Sequence, residues 1–264
     1  MRRLGALVVL LAIAAELTAC SADSPANPSF PLTVAAARAE LKQMEASPLP
    51  ASRPIVIVGG YADPGIIVKQ LAARLSAVLE PGTKIVTVAP GWVSTMDDAR
   101  RALLDAVEAE FPSDDPVWTA EVDIVAISMG GLVSRYAAMP GEDSRRRLRI
   151  ARLMTISTPH RGADWASMPT IEDRVVDMRA DSAFLCTLDE AEQCYEVLPY
   201  CRLHDWIVGE ENAAPPGRTA WWVQNQPFQL GHIDAHKDPR ILADISRRLR
   251  GEPAYATLPA ADLP

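Results

Sequence analysis

Two periodicities take turns along this chain. Runs rich in Ile and Val cover Pro54 to Val58, Lys84 to Val88, Val122 to Ile127 and Arg149 to Ile156. Short, continuously apolar runs of this kind predict strands buried on both faces. Two further runs, Tyr195 to Leu203 and Thr219 to Val223, predict strands in the second half. Between them the apolar residues fall at helical intervals: over Ile66 to Leu79, then over Asp97 to Phe111, where Ala99, Leu103, Leu104, Val107 and Phe111 share one side. Leu132 to Ala137 continues the series. Trp165 to Leu188 is helical but irregular, and Asp238 to Leu249 is a final helix with Asp238 as its cap and Pro239 in its first turn. Strands alternating with helices predict an α/β fold with a doubly wound, mostly parallel sheet in one domain, here residues 51–250.

The ends of the chain read differently. Arg2 and Arg3 precede an apolar stretch from Leu4 to Ile13, the layout of a signal peptide over residues 1–19. Leu17-Thr-Ala-Cys20 resembles the lipobox of bacterial lipoproteins. That resemblance implies cleavage before Cys20, lipidation of its thiol and acylation of its new amine. Several acyl chains on one residue anchor a protein lastingly, whereas one chain does so only marginally. Ser21 in the next position implies outer-membrane sorting in a Gram-negative host. Residues 20–50 are expected to be a tether, apart from an amphipathic helix at Thr33 to Met44 packed on the domain's edge. Residues 251–264, rich in Pro and Ala, are expected to be a loose tail.

Composition narrows the chemistry. The 264 residues are 48% hydrophobic with a net charge of −8, which leaves no basic footprint for nucleic acid. A monomer is expected. Cys186, Cys194 and Cys201 would lie where disulfides persist if the chain is exported; three allow one bridge with one left over, expected to clamp the segment before Asp205. Without a C-x-x-C pair or a histidine cluster, no metal site is expected.

The chemistry concentrates at Val122 to Ala137, V-D-I-V-A-I-S-M-G-G-L-V-S-R-Y-A. A strand stops at Ser128, two glycines follow and a helix begins, the layout of a nucleophile elbow. Its small flanking residues are Ala126 and Gly130, an A-x-S-x-G in which alanine adds only a methyl group near the turn. A serine needs a base, and the base needs an acid to hold its tautomer. Of the four histidines, His232 and His236 follow the last strand; His204 sits at a strand end beside Asp205, and His160 lies in the loop Ser157 to Gly162. Asp164 and Asp173 are alternative acids that precede the strand expected to deliver one.

These segments together resemble the small, nearly lidless bacterial lipases of the α/β-hydrolase superfamily. The elbow carries the most specific part of the likeness. Asp205-Trp-Ile-Val208 resembles their acid loop, Gly231-His232-Ile233 their histidine loop, and Ser157-Thr-Pro-His-Arg-Gly162 a loop found after the next strand. The resemblance covers most of Pro54 to Leu249 and implies a minimal α/β-hydrolase fold. It further implies Ser128 as nucleophile, Asp205 as acid and His232 as base, with an oxyanion hole formed by the backbone N–H groups of Met129 and Tyr61. The family usually has histidine where this chain has Gly59, and again where it has Ile127. His160 and Ile127 are candidate pocket residues. The activity implied is two-step hydrolysis of an ester, lipid esters included, without metal or organic cofactor. The alternatives are an inactive hydrolase-fold binding protein of the cell envelope, and an acyltransferase or thioesterase using the same three residues.

Overall fold

A computed structural model describes residues 26–141 and 146–264. The signal peptide and Cys20 lie outside the described residues. Six strands form one sheet: β1 (Ile55–Val58), β2 (Ile85–Val88), β3 (Val122–Ile127), β4 (Ile150–Ile156), β5 (Glu196–Arg202) and β6 (Trp221–Val223). Their order is β2-β1-β3-β4-β5-β6 and every pairing is parallel. Each strand therefore returns through a crossover, and all the loops that leave carboxyl ends gather along one rim.

Seven helices accompany the strands among the described residues: α1 (Val34–Ala46), α2 (Ile66–Ser76), α3 (Met96–Glu110), α4 (Met129–Ala138), α5 (Asp173–Asp177), α6 (Ala183–Glu190) and α7 (Pro239–Leu249). Alternate strand residues point to opposite faces, and the core divides accordingly. Val56, Val58, Ile124 and Ala126 pack with Leu103, Leu104 and Val107 of α3 and Leu132 and Val133 of α4. Ile55, Ile57, Val125 and Ile127 pack on the other face with Leu71 and Leu75 of α2 and Ile241 and Ile245 of α7. This is the doubly wound sheet that the strand–helix alternation predicts. The irregular stretch after β4 is an insertion holding a short turn at Asp164–Ser167 and the helices α5 and α6.

Three expectations need correction. From Asn27 onwards the stretch read as a tether belongs to the domain: Asn27 Nδ2 donates to the Trp222 carbonyl (2.7 Å), and Phe30 is buried against Tyr200. The tail is not loose either. Trp221 Nε1 donates to the Thr257 carbonyl (2.8 Å), and Asp244 Oδ1 accepts from the N–H groups of Tyr255 and Ala256 (2.5 and 2.9 Å). Its Pro–Ala composition conceals this because the receptors sit on β6 and α7, far away in sequence. Among the described residues the cysteines form no bridge: Cys186 and Cys194 are exposed thiols, and Cys201 is buried in β5. No helix among the described residues is long and apolar enough to cross a membrane.

Candidate active site

Ser128 follows the last residue of β3 and precedes the first of α4 with φ 52° and ψ −129°, backbone that non-glycine residues rarely adopt. Such strain persists where the surroundings over-determine it. The Ser128 N–H donates to the Ile156 carbonyl (2.9 Å), and its carbonyl accepts from Thr158 Oγ1 (2.8 Å). The two glycines of the elbow have steric reasons. A Cβ on Gly130 would stand 2.4 Å from the Val58 carbonyl oxygen, and one on Gly131 would stand 2.3 Å from Thr158 Oγ1. Helix α4 can thus begin directly against β1 and the loop after β4.

Asp205 and His232 reach this serine from β5 and β6. Asp205 is 1% exposed, and its Oδ1 accepts from the N–H groups of Ile207 and Val208 (3.1 and 3.0 Å). Its carboxylate meets His232 Nδ1 at 2.9 and 3.1 Å, and His232 Nε2 lies 3.1 Å from Ser128 Oγ. Burial by itself would raise the Asp205 pKa. The charge of His232, its hydrogen bond and the Val208 N–H outweigh burial and hold the carboxyl below its usual value. An ionised carboxylate at Nδ1 requires the proton on that nitrogen of a neutral ring, which leaves the Nε2 lone pair facing the serine hydroxyl. Close backbone contact joins the acid and histidine loops: a Cβ on Gly231 would meet the His204 carbonyl at 2.4 Å. Arg202 Nη2 donates to Gln229 Oε1 (2.7 Å) and pairs through Nε with buried Asp238 (3.3 Å), tying the end of β5 to both ends of the histidine loop.

The loop after β1 comes to the serine from the other side. A Cβ on Gly60 would stand 2.9 Å from Ser128 Cβ, so only glycine permits this approach. Tyr61 is the next residue, and Met129 opens α4, where an N–H has no partner within the helix. At position 59 a side chain would run into Asp63, whose Oδ2 would lie 2.8 Å from the added Cβ. The Asp63 carboxylate accepts from the N–H groups of Gly65, Ile67 and Val68 (2.9, 3.2 and 3.3 Å) and caps α2. It occupies the space that a histidine at position 59 would claim. Asp-Pro-Gly ahead of an apolar helical run is a capping signature that could have pointed to it.

The remaining candidates go elsewhere. His160 does not line a pocket. It is fully buried, with Nδ1 3.3 Å from Arg135 Nη1 and Nε2 3.1 Å from Thr155 Oγ1. Ile127, 6% exposed, likewise packs in the core face shared by α2 and α7. His236 faces Gln70 of α2 (3.4 Å), His204 is exposed, Asp164 bonds Asn212 (3.0 Å) and Asp173 begins α5. Among the described residues no group of three His, Cys, Asp or Glu is placed to hold a metal ion.

Two of these histidines make the fold acid-sensitive. Burial, then the charges of Arg135, Arg218 and Arg161, hold His160 well below 6.5, and burial followed by the Lys237 charge lowers His236 to about 4. The unfolded chain therefore binds more protons below pH 6.5, and stability must fall as pH falls. Each neutral histidine contributes a slope approaching about 1.4 kcal/mol per pH unit. In thermal melts between pH 7.5 and 5, His160→Asn is expected to lower stability at pH 7.5 yet flatten the pH dependence. A slope unchanged in the variant would show that His160 is already protonated in the native state.

No protein-family model matches the chain, and no curated protein matches it. Solved structures do. Lipase B of Aspergillus fumigatus is 15% identical over 86% of this chain and 59% of its own, with a TM-score of 0.52. This chain has the α/β-hydrolase fold. Lower-scoring matches include Bacillus licheniformis lipase BlEst2 in its mature form (18% identity, 72% of this chain, 89% of that one, TM-score 0.46). Phospholipase PlaB of Legionella pneumophila is another, at 17% identity over 56% of this chain and 39% of that one, with a TM-score of 0.41. The match thus spans well under half the length of that phospholipase. In the hydrolase fold seen here, the serine, carboxylate and imidazole come from the carboxyl ends of β3, β5 and β6, where parallel α/β sheets present ligand-binding loops.

Proposed function

We propose that this protein is a serine ester hydrolase of lipase or carboxylesterase type, working through an acyl-enzyme on Ser128. One observation carries the reading: a hydrogen-bonded series from Ser128 Oγ through His232 to Asp205, built on a strained serine. Ser128 Oγ attacks the ester carbonyl carbon while His232 Nε2 takes its proton. The carbonyl electron pair moves to oxygen, which the N–H groups of Met129 and Tyr61 stabilise. As the tetrahedral species collapses, the alcohol leaves with the proton from His232. Water then attacks the acyl-enzyme, gives a proton to His232 and releases the acid as that proton returns to Ser128. Asp205 remains ionised throughout and stabilises the imidazolium.

The rim supports esters with apolar groups. Trp92, Ile171, Trp206 and Phe228 are large, exposed and carried by segments that follow the carboxyl ends of β2, β4, β5 and β6. The lipobox at Leu17 to Cys20 supports an exported protein anchored by lipid on Cys20, at the outer membrane in a Gram-negative host. The experiment is fluorophosphonate labelling of expressing cells grown with labelled palmitate. Fluorophosphonate should mark wild type and not Ser128→Ala, and Cys20→Ser should abolish palmitate incorporation. A folded wild type that takes no fluorophosphonate points instead to a binding protein.

A further inference from the structure

The oxyanion loop carries strain of its own. Ala62, directly after Tyr61, has φ 58°, a left-handed conformation that costs a non-glycine residue about 1 kcal/mol or more. Asp63 ties this loop to α2 from below. The other side is held by a residue outside every motif in the chain. Arg174, on α5 of the insertion after β4, is 7% exposed, and its guanidinium stands 4.9 Å from the centroid of the Tyr61 ring. Its Nη1 donates to the carbonyls of Gly91 (3.1 Å) and Pro90 (3.4 Å). Its Nη2 approaches Glu172 at 4.0 Å, and Glu172 accepts from the Tyr61 hydroxyl. Gly91 in turn lies against the backbone of Asp63, where a Cβ would stand 2.5 Å from the Asp63 nitrogen. Trp165 also packs on the Tyr61 ring, with centroids 5.7 Å apart.

We propose that Arg174 is a positioning residue that holds the Tyr61 N–H in place for the oxyanion, clamping the Tyr61 ring and the Pro90–Gly91 turn against opposite sides of the loop. A planar guanidinium suits this task because it stacks on a ring and donates in its own plane at once. Burial, and after it the hydrogen bond to Glu172, push the Tyr61 phenol up to about 12, so it stays a donor across the working range. The insertion thereby reaches the reacting centre without touching substrate. In this chain, Asp63 and Arg174 brace the loop in which the resembling family usually has a histidine in place of Gly59.

The inference rests on the serine-hydrolase reading, and its test separates the two. In Arg174→Met, kcat for p-nitrophenyl esters should fall about 10- to 100-fold with KM little changed, less than the ~10²- to 10³-fold loss on deleting an oxyanion donor. Inhibition by an alkyl boronic acid, whose oxygen occupies the oxyanion position, should weaken by the same factor. Arg174→Lys restores a cation over the ring and should recover part of kcat. Backbone hydrogen exchange over residues 60–65 should quicken in Arg174→Met, with the elbow segment 122–138 unchanged. Glu172→Gln should shift both readouts in the same direction by less, and it serves if Arg174→Met does not fold. Unchanged exchange at 60–65, or a raised KM with kcat intact, overturns the clamp. A wild type without ester hydrolysis or fluorophosphonate labelling sinks the hydrolase reading alone, because exchange at 60–65 still decides whether Arg174 holds the loop.

Discussion

Ser128→Ala is expected to lower kcat for ester hydrolysis by about 10⁵- to 10⁶-fold, and His232→Ala by a similar amount. The arithmetic follows from the geometry. Ser128 supplies the atom that becomes bonded to the acyl group, and His232, 3.1 Å away, is the base in hydrogen-bond contact with it. Without either, only binding and the oxyanion donors remain, and these leave a residual acceleration of roughly 10³ to 10⁴ over water. Asp205→Asn should cost about 10⁴-fold, because an amide at Nδ1 favours the wrong tautomer of the ring. The losses should not add: Ser128→Ala combined with His232→Ala should be no slower than either alone, since each already removes the whole covalent route. Thermal midpoints near wild type in Ser128→Ala will separate chemistry from folding, as Ser128 is only partly buried at the rim. Retention of a tenth of the activity by Ser128→Ala would place the nucleophile elsewhere.

The serine was legible in the sequence because its constraints are local. A β-branched run must stop, a strained residue must follow, and Gly130 and Gly131 must lack a Cβ, which would stand 2.4 Å from the Val58 carbonyl oxygen and 2.3 Å from Thr158 Oγ1. Acid and base were another matter. Asp205 and His232 lie 27 residues apart, and His232 lies 104 from Ser128, so their pairing came from the loop patterns of a resembling family and not from spacing. Side chains that act through a distant backbone left no trace. Arg174 reads as one charge on an irregular helix, and its meaning depends on carbonyls 83 and 84 residues away. His160 shows the reverse error. A loop at the carboxyl edge suggested a pocket, but chain position does not say which way a ring points, and Arg135 and Thr155 take it inward.

The ordered tail leads to the largest expected stability effect away from the site. Asp244→Ala should lower stability by about 3–5 kcal/mol, the cost of breaking a buried ion pair by removing one partner. Asp244 is fully buried on α7. Its Oδ2 accepts from Arg248 Nε (2.9 Å) and from the Tyr200 hydroxyl (2.6 Å), and its Oδ1 takes the N–H groups of Tyr255 and Ala256. Alanine would leave a guanidinium, a buried phenol and two amides to find other partners at once. In a chain this size each kcal/mol moves the midpoint by roughly 2–4 °C, so a fall on the order of 10 °C is expected. Truncation after Pro253 keeps Arg248 and Tyr200 on the carboxylate but removes the two amides together with the Thr257 carbonyl that accepts from Trp221 Nε1, so it weighs the tail contacts against the ion pair. A midpoint above that of Asp244→Ala would show that the ion pair outweighs all the tail contacts together, and one as low or lower would show that the tail contributes at least as much. In either case activity per folded molecule should hold, because none of these groups contacts Ser128, Asp205 or His232.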